Sequence, residues 1–338
     1  ASAFRRRSPG APALFPAEAF VHELLQRRVL LVAGKGGVGR TTFAAALAQA
    51  AAAAGRRTLL ADMGGPDPSF LSASARLFGR AAFATTPEPL GAHLHGVLLH
   101  GRTGQALFAR RILPVPGLVR AALQSRALGR LLDAAPSFQE LGVFHHFLSL
   151  AEESRGGRPV YDTLVVDLPA TGHALAMAAL PPILLELIPR GPIAELLRRG
   201  QRLLYDPEHA AAVVVTLPEP LPVSEALELA RGLDERRVPV AGLVLNKWLE
   251  DDLTPAERKA LARLPRGRRF LGIERLDAAA RAARELPRVA AGFAGDVYTM
   301  PELPEEGAAL VSALAALVPH LTPRRSTRPR GPTAEAVA

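Results

Sequence analysis

The stretch Gly34-Lys35-Gly36-Gly37-Val38-Gly39-Arg40-Thr41 holds the clearest chemistry in the sequence. It fits the spacing G-x-x-x-x-G-K-[ST], except that Arg40 stands in the lysine position. Small residues allow successive backbone N–H groups to curl around a phosphate, and a helix that follows adds the positive end of its dipole. Thr41 supplies a hydroxyl suited to Mg²⁺, so the expected ligands are ATP or ADP with Mg²⁺. Thr42 extends the expected nucleotide contacts by one residue.

The flanking elements agree with that reading. Arg28–Ala33 (RVLLVA) is a short buried-type strand, and an Ala-rich helix is predicted from about Thr41 to Ala54, with Gly55 at its C-terminal end. Arg56–Asp62 is the next strand, which completes a βαβ unit. Tyr161–Asp167, Ala211–Leu217 and Val240–Lys247 are near-continuous apolar runs, as strands covered on both faces require, and Asp296–Met300 reads as a further strand. Helices separate them, one with Ser224 as its expected N-cap and one over about Glu305–Val318. The fold class is a doubly wound α/β fold with a mainly parallel sheet. A basic flexible arm is expected at 1–27, one domain at 28–320, and a disordered basic tail at 321–338. Helical insertions are expected at about 71–155 and 183–210, the first with a strand candidate at His93–Leu99.

Beyond the loop, three further stretches carry a likeness: Asp167-Leu168-Pro169-Ala170-Thr171-Gly172-His173, the run Val215–Leu229, and VAGLVLNK with Asn246. With Lys35 at the second position of the loop, the chain resembles the deviant phosphate-loop ATPases, in particular the ArsA-like branch. That branch includes the arsenite-pump and tail-anchored-protein targeting ATPases, and the likeness spans residues 28–318 in outline. The resemblance implies a P-loop ATPase that dimerises around its nucleotides, as a homodimer or with a related subunit. It implies that backbone groups of Gly36–Thr41 hold the phosphates and that Thr41 ligates Mg²⁺. Lys35 would reach a partner's nucleotide, Asp167 would hold Mg²⁺ through water, Gly172 would sense the γ-phosphate and Asn246 would read adenine. The plainer alternatives are a helix N-cap for Asp167 and a strand-end turn for Asn246.

Two departures stand out. Arg40 keeps the positive charge of the usual lysine but brings a longer planar fork, and phosphoryl transfer depends on positioning and charge. Weakened hydrolysis is one expectation, and drift with activity kept is the other, since only three of the 41 basic residues are lysine (Lys35, Lys247 and Lys259). In ADMGGPDPSF, a gapless match to the branch puts Gly64 where its water-orienting Asp belongs. Asp62 or Asp67 could serve in a rebuilt loop, or both simply cap and turn the chain.

Composition narrows the remaining options. With no cysteine, a thiolate metalloid site and a Cys-based zinc clasp are excluded, and a cytoplasmic setting is expected. The 338 residues are 49% hydrophobic, yet no run is long enough to span a membrane. Of the net charge of +9, residues 1–28 and 321–338 carry +3 each, which makes these arms solvated; nucleic-acid binding is the least favoured use. His93 and His95, and the pair His145-His146, lack matching carboxylates, so no metal site is expected there. The helical insertion could hold a protein client, but a packing or lid subdomain is the favoured reading. Trp248 could stack on adenine or pack at a sheet edge. Two function classes follow: an ATPase switch, and a non-hydrolysing regulatory subunit that offers Lys35 in trans. A DNA-associated switch comes third.

Overall fold

A computed structural model describes residues 23–63, 72–112, 136–169, 181–186, 188–250, 253–261, 271–321 and 323–325. Continuous apolar runs become the central strands because both of their faces are covered. β1 (Val29–Gly34) is buried at every position, and so are β7 (Thr163–Asp167) and β8 (Ala210–Thr216). Between β1 and β2 (Thr58–Met63) runs α1 (Arg40–Ala53). Alanines fill most of its length, which lets it lie buried between the sheet and α9 (Gly307–Leu317). Its end is set by Gly55 at φ 81°, where the N–H groups of Gly55 and Arg56 reach back to the Ala52 and Ala51 carbonyls.

The main sheet has the order β11-β10-β9-β8-β1-β7-β2-β4-β3. Its inner pairs are parallel, including β9 (Val240–Trp248) with both β8 and β10 (Asp296–Pro301). The expected α/β architecture with a mainly parallel sheet is the one found. One apolar layer packs α4 (Pro136–Glu152), α5 (Pro192–Leu204) and α6 (Pro220–Glu235) on one face of the sheet; α1 and α9 cover the other. Register brings the strand ends level: Val32 and Asp62 each lie opposite Asp167, and Gly34 lies opposite Val215. Because β7 and β8 flank β1 while the chain passes from β1 to β2, the crevice for a ligand opens at the end of β1.

Two local expectations need correction. Within the 71–155 stretch the strand candidate at His93–Leu99 is found as β4 (Leu94–Leu99), parallel with β2 over six positions, and a further short strand, β3 (Glu88–Gly91), pairs antiparallel with β4. Helical pattern does return in α3 (Gly101–Ile112) and α4, and a two-stranded hairpin, β5 (Ser154–Arg155) with β6 (Arg158–Pro159), follows. α6 begins at Pro220, not at Ser224. Proline suits the first helical position, and the Ser224 hydroxyl instead donates to the Pro220 carbonyl at 3.0 Å. In the C-terminal tail, β11 (Pro323–Arg325) lies antiparallel along the edge strand β10 and satisfies backbone groups an open edge would leave unpaired. Residues 1–22 and 326–338 lie outside the described residues.

Candidate functional site

The loop after β1 is shaped by its glycines. A Cβ on Gly34 would sit 2.5 Å from the Val215 carbonyl oxygen of β8. Gly39 has φ 87°, and a Cβ there would lie 2.2 Å from Asn246 Nδ2. Val38 is buried and pins the loop to the core, while Lys35, Gly36 and Gly37 face solvent. α1 starts immediately after with no side-chain cap and no acidic residue in its first turn. Its free N–H groups, including those of Thr41 and Thr42, therefore keep their positive field for an anion.

Next to the loop, Asp167 ends β7. Its carboxylate accepts from the Thr41 hydroxyl at 2.6 Å and from Arg40 Nε at 2.6 Å. Arg40 Nη1 also donates to the Gly34 carbonyl at 3.0 Å, so the guanidinium ties the start of α1 to the ends of two strands. Both partners are largely buried, at 15% and 7% exposed. Burial raises the Asp167 carboxyl above its ordinary value, against the pull of Arg40 and Thr41. A threonine hydroxyl beside a carboxylate is an all-oxygen donor set, which fits a hard cation such as Mg²⁺.

Asp62 lies one strand away and is already engaged. Its Oδ2 accepts from the Ser72 hydroxyl and from the Ser74 N–H at 3.2 Å, and Ser72 in turn caps α2 (Ala73–Leu77) through the Ala75 N–H. Burial pushes the Asp62 carboxyl up to about 6, partly countered by the two serines and supported by nearby Asp167. Asp67 and Gly172 lie outside the described residues.

Lys35, about half exposed, forms an ion pair with Glu225 on α6 of its own chain. No local signal in the sequence links Glu225 to a lysine 190 positions away. Asn246 ends the buried part of β9, and its Nδ2 donates to the Val38 carbonyl at 2.8 Å. One N–H and the amide oxygen of that side chain are left over, enough to pair with a base edge. Trp248 is covered by Arg324 of β11, with the guanidinium carbon 5.7 Å from the ring centre.

His93 sits in a turn at φ 59°, so it does not share a strand face with His95. His146 Nδ1 accepts from the His100 N–H at 3.1 Å, and burial lowers its imidazole to about 4. Among the described residues, no group of three or more His, Cys, Asp or Glu could hold a metal, and no helix is long and apolar enough to cross a membrane. Met177, one of the three methionines, lies outside the described residues; Met300 is buried and Met63 packs against the core.

Comparison with known proteins decides the family. The CbiA profile, the CobQ/CobB/MinD/ParA nucleotide binding domain, matches residues 29–287. The chain belongs to this family. Relatives include the ATPase BagA of Mycobacterium tuberculosis, 28% identical over 243 residues, which cover 68% of each chain. The arsenical pump-driving ATPase of Escherichia coli is 29% identical over 263 residues, 73% of this chain and 39% of that one. The ATPase GET3B of Arabidopsis thaliana is 26% identical over 276 residues, 66% of this chain and 65% of that one. The membership and these relatives agree with the ArsA-like resemblance, and make the chain a nucleotide-binding ATPase of the CobQ/MinD/ParA class.

Proposed function

We propose that the chain binds Mg²⁺–ATP in the crevice at the end of β1 and works as a dimeric nucleotide switch with slow hydrolysis. The backbone N–H groups of Gly36–Thr42 hold the phosphates, reinforced by the uncapped N-terminus of α1. Thr41 and, through water, Asp167 hold Mg²⁺, which neutralises phosphate charge when bound. Asn246 keeps its bond to Val38 and offers its remaining N–H and oxygen to adenine. Lys35 leaves Glu225 to reach the nucleotide of a second protomer, and Gly172 senses the γ-phosphate. Asp62 is committed to Ser72 and Ser74, which favours Asp67 as the group that orients water.

The observation that carries slow hydrolysis is the placement of Arg40. Its guanidinium is clasped by Asp167 and the Gly34 carbonyl, so contact with a β- or γ-phosphate requires it to give up at least part of that arrangement. A lysine would reach the phosphate as a compact charge. Steady-state ATP turnover of the purified chain beside Arg40→Lys tests this. We expect turnover to rise at least tenfold in the lysine variant, and equal turnover would refute the reading. The same clasp also supports the second reading, a subunit that binds nucleotide without hydrolysing it and serves a related ATPase with an ordinary loop lysine. Wild-type turnover at the level of a normal ATPase would end that alternative.

A further inference from the structure

Lys35 and Glu225 meet with unequal freedom. Glu225 stands in the second turn of α6, and the start of that helix is clamped from outside. Arg288 of α8 (Leu271–Gly292) donates to the Pro220 carbonyl at 2.9 Å and to the Ser224 hydroxyl, while Glu285 holds the same guanidinium at 3.1 Å. Lys35 instead sits on the phosphate loop beside Gly36 and Gly37, both exposed, where an added Cβ would meet nothing within 4 Å. A four-carbon stem on an open glycine loop can swing, and the clamped carboxylate cannot follow it. When the pair separates, the lysine is the partner that moves.

The pair is also only half made. Lys35 meets Glu225 Oε1, while Oε2 is buried and accepts no hydrogen bond. An ammonium is a point charge that engages one oxygen, whereas a guanidinium fork would close on both. In a chain where only three of 41 basic residues are lysine, this position carries the cation with the looser grip. With Lys35 46% and Glu225 26% exposed, solvent screens the contact, so it holds the ammonium without locking it. The phosphates of a nucleotide bring several negative charges against one on the carboxylate and outcompete it for the same ammonium. We infer that Glu225 is a positioning residue that parks Lys35 against its own chain in the nucleotide-free protomer and yields it when phosphates arrive. This deepens the switch proposed above and rests on Lys35 serving a second protomer, since a lysine parked in cis is withheld from trans. Glu225 thereby sets the ATP level at which two protomers close.

Amine acylation of the nucleotide-free full chain, read site by site by mass spectrometry, tests the parking without requiring a dimer. At low salt Lys35 should react about threefold faster in Glu225→Gln than in the wild type, the size expected of a solvent-screened pair. Lys247 and Lys259 serve as internal controls and should react alike in both proteins. Raising salt to about 1 M should remove the difference at Lys35, because screening frees the lysine in the wild type as well. Equal Lys35 rates at low salt, or a difference that high salt leaves intact, would overturn the inference. In sedimentation, Glu225→Gln should tighten ATP-dependent self-association by about tenfold, since two such pairs open per dimer. Unchanged or weaker association in the variant would also overturn it. If Lys35 labelling responds as expected but neither protein self-associates with ATP, the trans role of Lys35 falls and the parking in cis stands.

Discussion

Removing either half of the Arg40–Asp167 pair should damage the protein more than removing both in proportion. The pair is largely buried, with Arg40 15% and Asp167 7% exposed. Breaking a buried pair from one side costs about 3–5 kcal/mol because the remaining charge is stranded. Some solvent reaches Arg40, so Arg40→Ala should sit near the lower limit, at about 3 kcal/mol. Asp167→Asn leaves Arg40 its bond to Gly34 and gives Thr41 an amide oxygen to donate to, so about 2 kcal/mol is expected. With both replaced no charge is stranded, and the total should be about 3 kcal/mol instead of about 5, a coupling of about 2 kcal/mol. Urea unfolding of the four proteins in EDTA without nucleotide measures it directly. If the two single effects add to within about 0.5 kcal/mol, the contact does not hold the loop and the account of Arg40 fails.

Further outcomes follow from other residues. Lys35→Ala should alter stability by no more than about 1 kcal/mol, because its pair with Glu225 is solvent-screened, yet should abolish ATP-dependent dimer formation as read by sedimentation. Gly39→Ala places a methyl against Asn246 at a φ of 87°, so a loss of about 2–3 kcal/mol in thermal or urea unfolding is expected, with ATP binding lost in calorimetry. His146 stays neutral in the folded protein down to about 4, whereas the unfolded imidazole takes up a proton near 6.5. The unfolded state then binds more protons between those values, so stability falls by up to about 3 kcal/mol as pH drops from 6.5 to 4. Subtracting the profile of His146→Gln isolates that loss from Asp62, whose raised carboxyl acts in the opposite direction over much of the same range.

The central strands were readable because burial on both faces demands unbroken apolar runs, and β1, β7 and β8 have them. The phosphate loop was readable because glycine spacing fixes its path before any tertiary contact exists. β3 and β11 were not, since a short edge strand with Pro89 or Pro323 carries no alternation and looks like a turn or tail. At α6 two start signals competed, and proline at the first helical position won over a serine four positions further on. The site's long-range ties were beyond local pattern altogether. Arg40 meets Asp167 across 127 positions and Asn246 meets Val38 across 208. A sequence names such residues singly, and only the stacked register of β9, β8, β1 and β7 makes them neighbours.

Both lateral margins of the sheet finish in the same way, with a brief reversed strand containing proline: β3 beyond β4 on one side and β11 beyond β10 on the other. A margin of that kind offers little for a second molecule to zip onto, so sideways growth of the sheet is closed at each end. Association of two copies is thereby steered away from strand-to-strand stacking and toward surfaces made of loops and helix tips. Trimming the chain before Pro323 would reopen one margin, and the shortened protein should show concentration-dependent fibrous or amorphous assembly that the full-length chain resists.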